Sequence, residues 1–383
     1  MTYRFFFGLS LIISIYSCSV KMEESEIGNG FINLDIETLI SDEAVYFSEL
    51  FSGFHIIPLE TKENVVLGNI SNIKFKDEIF FCFDRMKTRK VYLFSKDGSF
   101  ISSVGNIGRG PGEYMYAVDF DVDTIEKRVA IYDGRKLNFY DYHGKFTGKI
   151  TFDHGFQTFL ITENHLVFYR NPHRINNPDE NLIYLFDREG KEITTLVENT
   201  GIYMDAMQFF MGGHFFQWQN NTRFFMPYTE TIYSISEKEA KPFIQLRTNR
   251  YKITSKELSE INTSRLHPMA SGIEKLFLIR KYSENEKLCF FNFNIGMRRY
   301  QTFHYFDSNK TICTSRFIDD LTFINPEFIQ LNNNQMIAII HETQISIFKK
   351  LVSDGKINLT EKEKASLLEI PDYNNPIIVL FDI

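Results

Sequence analysis

Apolar and polar positions along this 383-residue chain recur at a fixed interval. Residues 91–100 (VYLFSKDGSF), 137–146 (LNFYDYHGKF) and 183–192 (IYLFDREGKE) align. Their glycines fall at 98, 144 and 190 and their aromatic residues at 94, 140 and 186, an interval of 46 both times. Each segment reads as a strand, a tight turn whose Gly can take positive φ, and a second strand. Residues 231–238 (TIYSISEK) continue the series without the glycine, and a weaker copy lies at 305–308 (YFDS). Residues 344–348 (QISIF), followed by Asp354, Gly355 and Lys356, read as a late copy.

A period in the forties that holds several short strands is the signature of a β-propeller, in which one four-stranded blade consumes about that length. The 330 residues from Phe54 to Ile383 divide by 46 into nearly seven units. At least one insertion must be subtracted, so the predicted fold is all-β, a six-bladed propeller with one or two short helical insertions. Two segments carry helix-start chemistry, a Thr followed three residues later by Glu: Thr254 with Glu257, and Thr360 with Glu363. Each predicts a short helix, the second running to about Leu368, and neither is long enough for a domain of its own. The apolar run 377–381 (IIVLF) predicts a final strand that completes the ring beside strands from residues 31–59 and so removes an exposed edge.

Composition supports this reading. Phe (39) and Tyr (19) are abundant and Ala is rare, at eight residues, which favours strands over helices. The formal net charge of −7 is spread along the chain and argues against nucleic acid, which demands a basic surface. Cys82 and Cys289 sit in apolar runs and read as buried thiols. With Cys313 they leave an odd number behind the N-terminal segment, which speaks against a disulfide framework, although one Cys289–Cys313 bridge is conceivable.

The N-terminus reads as an address. Arg4 is a positive n-region, and residues 5–15 form an apolar run of eleven, too short for the ~20 residues of a membrane-spanning helix. Ile15, Tyr16, Ser17 and Cys18 resemble a bacterial lipobox. That resemblance implies a signal peptide at 1–17, cleavage before Cys18, acylation of Cys18 and a lasting membrane anchor. The mature chain then holds 41 basic residues against 49 acidic ones, a net −8. Lys21 followed by Glu23, Glu24 and Glu26 resembles the surface-export signal of Bacteroidota lipoproteins, which implies an outer-membrane location facing the medium. Residues 18–30 are then a tether and 31–383 a single propeller domain.

The most distinctive stretch is 105–114 (GNIGRGPGEY), which resembles the glycine-rich loop of NHL-type propellers. Residues 54–61 (FHIIPLET) and 375–380 (NPIIVL) resemble the opening and close of the six-bladed β-propeller lipoproteins of Bacteroidota. The resemblance covers nearly all of the mature chain and implies fold and lineage. It fades between Met204 and Lys310, and it implies no particular activity.

Candidate site residues follow from loop chemistry. Gly108, Gly110 and Gly112 lack the strand and helix context of a phosphate-binding loop, so a sharp inter-blade connection is expected. In it Glu113 accepts backbone N–H groups and Arg109 braces a neighbouring blade. The competing reading makes Arg109, Glu113 and Tyr114 ligand contacts. His214 and Trp218, the latter the only Trp, stand beside Gly212 and Gly213 and suggest an aromatic platform for a sugar ring. Residues 171–178 form a polar loop punctuated by Pro172 and Pro178, suited to project from a blade. Asp84 and Asp133 each end a strand and are expected to bind their own turn backbone. The sequence holds no metal or catalytic motif: no CxxC, HxH, HExxH, GxSxG or DxDxDG spacing. The expected function is a binding or scaffold propeller for a glycan, a peptide or a partner protein, with no cofactor. The alternative is a metal-assisted hydrolase or lyase of the propeller-lactonase kind. It would need calcium or magnesium held in the central channel by inner-strand carboxylates.

Overall fold

The computed structural model describes residues 26–28, 31–63, 65–68, 70–171, 180–199, 214–226, 229–254, 256–257, 260, 274–372 and 374–383. The lipobox with Cys18, the signal segment, residues 172–178 of the proline-punctuated loop and Gly212–Gly213 lie outside the described residues.

Six antiparallel sheets, each built around four strands, form a ring. Their innermost strands are Asn72–Lys76, Asp119–Asp123, Thr158–Ile161, Phe215–Trp218, Leu276–Glu284 and Glu327–Asn332. Each inner strand touches the next around the ring, and the sixth touches the first. Blades are numbered here in that order.

The core is six separate wedges rather than one mass, because each blade buries both of its faces against neighbours. Phe81 and Phe83 pack toward blade two with Phe120, Val129 and Ile131. Phe80 and Cys82, on the opposite face of the same strand, pack toward blade six with Ile337, Ile339 and Ile378. A strand buried on both faces needs a continuous apolar run rather than alternation, which explains Ile79–Asp84 and Leu288–Ile295. The three cysteines lie free and buried in these walls, so no Cys289–Cys313 bridge forms.

The 46-residue repeat is the hairpin joining the third and fourth strands of blades one to three. Gly98, Gly144 and Gly190 have φ of 87°, 86° and 91°, and their amides donate to Ser95, Asp141 and Asp187. The aromatic residue at each repeat stands at a β-bulge: Phe94, Tyr140 and Phe186 each follow a register shift. Residues 231–235 and 298–305 supply the matching third strands of blades four and five.

Blade six closes the ring. Ile377–Asp382 pairs with Gly53–Pro58, so the outermost strand comes from near the N-terminus. Upstream, Phe31–Asp35 lies parallel to Ala240–Arg247 on the outside of blade four. Val45–Tyr46 then pairs with Phe317–Ile318. The N-terminal segment thus runs along the outside of the ring from blade four to blade six.

The late copy expected at 344–356 is not a blade hairpin. Ile345–Ser353 is a helix inserted between the second and third strands of blade six, with Ile345, Phe348 and Val352 buried. The expected helix after Thr360 forms as Glu361–Glu369 with a reciprocal Thr360–Glu363 cap. Residues 256, 257 and 260 are helical, and Thr254 and Glu257 cap each other. The remainder of that segment lies outside the described residues.

Candidate functional site

The six inner strands surround a cavity of about 960 Å³ on the ring axis. Each inner strand pairs on one side only, so its other edge leaves backbone N–H and C=O groups facing the channel. Unpaired, such groups would cost free energy if kept from water.

Blade two answers this with three aspartates at alternate positions. In Asp119–Asp123 the sequence alternates acid and apolar, and all five residues are buried. Phe120 and Val122 fill the wedge toward blade one. Asp119, Asp121 and Asp123 project the other way. Asp119 Oδ2 accepts from the Thr158 hydroxyl and from the Phe159 amide at 3.4 Å. Asp121 Oδ2 accepts from the Ile161 amide at 2.6 Å, while its Oδ1 meets Lys74 Nζ at 2.5 Å. Asp123 Oδ2 binds Arg128 at 3.0 Å and also Arg188. The aspartates therefore cap the free edge of blade three's inner strand and tie three blades together. Burial raises the Asp119 carboxyl above the ordinary carboxylate range, opposed by Lys74 and its hydrogen bonds.

Blades five and six meet the channel through a different device. The inner strand of blade five bulges between Arg280 and Ser283, and Lys281 takes φ 51°, a strained conformation for a residue with a side chain. The bulge aims Lys281 Nζ at Glu327 and at the Phe328 carbonyl, 2.9 Å away. His341 Nε2 approaches the other oxygen of Glu327 at 3.2 Å. These partners hold the Glu327 carboxyl down at about 2, so it is ionised at neutral pH. Ser283 then accepts the Leu331 amide at 2.9 Å, capping the inner edge of blade six as the aspartates cap blade three.

His214 precedes the inner strand of blade four and Trp218 ends it, and both line the cavity. His214 is buried; its Nδ1–H donates to the Phe225 carbonyl at 3.1 Å and its ring lies 5.0 Å from that of Tyr169. That leaves Nε2 to accept from the Gln157 amide nitrogen at 3.4 Å. Trp218 is half-buried on the cavity wall, with Thr124, Ile125, Glu163 and Asn220 also lining it.

The other three sequence candidates stand elsewhere. Residues 105–114 connect the outer strand of blade one to the inner strand of blade two and do not line the cavity. Tyr114 is buried beneath this loop, its hydroxyl donating to the Arg89 carbonyl at 2.5 Å. Glu113 is exposed and accepts the Gly110 amide at 2.7 Å. Arg109 is exposed, and among the described residues its side chain forms no hydrogen bond or ion pair with a neighbouring blade, so the expected polar brace does not form. Asp84 and Asp133 cap their own turns as expected: Asp84 accepts Lys87 N at 3.0 Å and Asp133 accepts Lys136 N at 2.7 Å.

Sequence reasoning missed the aspartate ladder, Lys281 and Glu327. The alternating Asp119, Asp121 and Asp123 were a legible signal, since acids at every second position of a predicted strand share one face. Lys281 left none, because a bulge is set by the partner strand. As metal ligands the aspartates fit poorly, since each already serves protein donors. Among the described residues no three His, Cys, Asp or Glu side chains gather as a metal would require.

Residues 31–382 match the family described as Domain of unknown function (DUF4934). A crystal structure of a protein from Bacteroides fragilis, described as exported, superposes with a TM-score of 0.72 at 16% identity, covering 92% of this chain and 99% of that one. A DUF4221-family member from Bacteroides vulgatus superposes with a TM-score of 0.52 at 10% identity, covering 87% and 96%. At these identities the likeness is one of fold. No curated protein matches the chain. No helix among the described residues is long and apolar enough to cross a membrane.

Proposed function

We propose, for a chain that belongs to the DUF4934 family, an exported, lipid-anchored binding propeller that takes a polar ligand, a glycan or a peptide, into its axial cavity. The observation that carries this reading is the cavity itself: about 960 Å³, walled by all six inner strands and lined by both charged groups and aromatic rings. That volume lies within the range of small-ligand sites, and the wall offers fixed polar groups beside apolar surface. Trp218 supplies an aromatic face on which sugar C–H groups or a peptide side chain can stack. Binding is favoured over metal-assisted hydrolysis because Asp119, Asp121, Asp123 and Glu327 are already engaged in holding blades together. The lipobox ending in Cys18 supports anchoring at the outer membrane, and the Bacteroides fragilis neighbour described as exported is consistent with it.

Trp218 is the only tryptophan, so its fluorescence reports on the cavity alone. Purified mature chain is titrated with a panel of oligosaccharides and short peptides, with metal content measured on the same sample. A ligand of the cavity shifts or quenches the emission saturably. If no member of the panel moves the emission while stoichiometric calcium or magnesium copurifies, the binding reading fails and the hydrolase reading takes its place.

A further inference from the structure

We propose a second, separate site: a protein-docking face on the end of the ring where the inner strands begin, over blades one and two. Three loops build it: residues 85–89, 105–118 and 133–135. They enclose a groove of about 420 Å³ whose walls include Arg85, Met86, Arg89, Tyr116 and Val118. Arg85 and Val118 also line the axial cavity, so the groove opens into it.

Large apolar side chains are exposed together on this face. Met86 is 73% exposed, Tyr116 65%, Ile107 46% and Met115 43%, a concentration of large apolar side chains on adjoining loops. Isolated apolar residues on a surface are ordinary, whereas a cluster rimmed by polar groups marks an interaction site. The rim is basic. The three loops carry Arg85, Lys87, Arg89, Arg109 and Arg135 against Glu113 and Asp133, in a chain whose net charge is −7.

The exposed groups are held rigidly from below. Asp84 caps the 85–88 turn through Lys87 N and Thr88 N. Arg89, at φ 56°, donates to the Met115 carbonyl at 2.9 Å and places its guanidinium 5.6 Å from the Tyr116 ring centre. Tyr114 and Tyr140 anchor the glycine-rich loop, donating to the Arg89 and Gly112 carbonyls at 2.5 and 2.7 Å. A surface fixed before its partner arrives loses little entropy on binding.

Tyr, Met and Arg are the side chains enriched at protein interfaces, and methionine adapts to apolar groups of varied shape. The positive rim sets the partner's charge. The occupant that fits is an acidic protein segment carrying an apolar anchor that enters the groove beside Tyr116. The glycine-rich loop then serves as the frame of this face.

The test uses the mature chain and fluorescein-labelled peptides in which acidic residues flank one Leu, Phe or Tyr, alongside the same peptides with every acid replaced by Lys. Fluorescence anisotropy is expected to show binding of the acidic set only, weakening as salt rises. Tyr116→Ala and Met86→Glu should each weaken it by about tenfold or more, Met86→Glu through repulsion as well. Both positions are exposed, so melting should stay unchanged and report intact folding. Met297→Glu, at a similarly exposed methionine on blade five outside both the groove and the cavity, should leave peptide binding intact, which ties the effect to this face. Equal binding of acidic and lysine peptides, or binding that survives Met86→Glu, overturns the proposal. So does an oligouronate that binds in a Tyr116-dependent way where no acidic peptide does, since the face would then belong to an acidic glycan.

Discussion

Gly98 offers a sharp test of how the ring is locked. It has φ 87°, and a Cβ built there would lie inside 3.0 Å of the Pro58 carbonyl oxygen and 3.1 Å from Ile57 Cγ2. Pro58 ends the strand that closes blade six, and the Gly98 carbonyl accepts the Glu60 amide at 2.9 Å just beyond it. Gly98→Ala therefore incurs two costs. Left-handed backbone with a side chain costs roughly 1–2 kcal/mol. The collision with backbone adds about 1–3 kcal/mol of overpacking, because a carbonyl in a paired strand cannot rotate away as a side chain can. The expected loss is about 2–5 kcal/mol. Gly355 is the matching control: its φ is 69° and nothing lies within 4 Å of a Cβ there, so Gly355→Ala should show the backbone cost alone. Gly144, whose Cβ would lie 2.7 Å from the Ser103 carbonyl, should resemble Gly98. Gly190, which faces only the Ile150 side chain, should lie closer to Gly355. Urea unfolding of the four alanine variants measures the series. Equal losses at Gly98 and Gly355 would show that contact with the closing strand contributes nothing, and would refute the reasoning.

Two further outcomes are expected. His304 is buried beside Thr311, and burial pushes its imidazole down to about 4 from 6.5. The unfolded chain therefore takes up this proton first, so stability falls as pH drops from 6.5 through about 4, by about 3 kcal/mol once complete. His304→Gln should flatten that part of a urea-midpoint profile, and an unchanged slope would dismiss His304 as its source. Arg223 and Glu284 form a buried ion pair at 3.1 Å, with Tyr282 also donating to the carboxylate at 2.5 Å. Glu284→Ala strands the arginine and should cost roughly 3–5 kcal/mol, whereas Arg223→Met with Glu284→Leu should recover most of it; a single-variant loss below about 1 kcal/mol would contradict the burial.

What the sequence determined by itself is the set of features closed over short distances. The glycine turns at 98, 144 and 190, the Asp84 and Asp133 caps and the Thr360–Glu363 helix start each need only a few adjacent residues, so a fixed motif encodes them. The 46-residue interval followed, since blades one to three repeat the same glycine hairpin. The apolar run 377–381 announced its role because a strand apolar at successive positions must be covered on both faces. Tertiary structure decided the rest. Residues 345–348 carry apolar groups at a spacing that suits a strand, yet the helix buries Ile345, Phe348 and Val352 and leaves Ile347 58% exposed. The packing surface of blade six, assembled from distant strands, selected the helical period. The site depended on convergence in the same way. Asp121 reaches Lys74 and the Ile161 amide, and Lys281 reaches Glu327, only because the closed ring brings successive inner strands together about one repeat apart. No local pattern records such a meeting, because its cause is the closure of the ring by Gly53–Pro58, more than 300 residues from its partner strand.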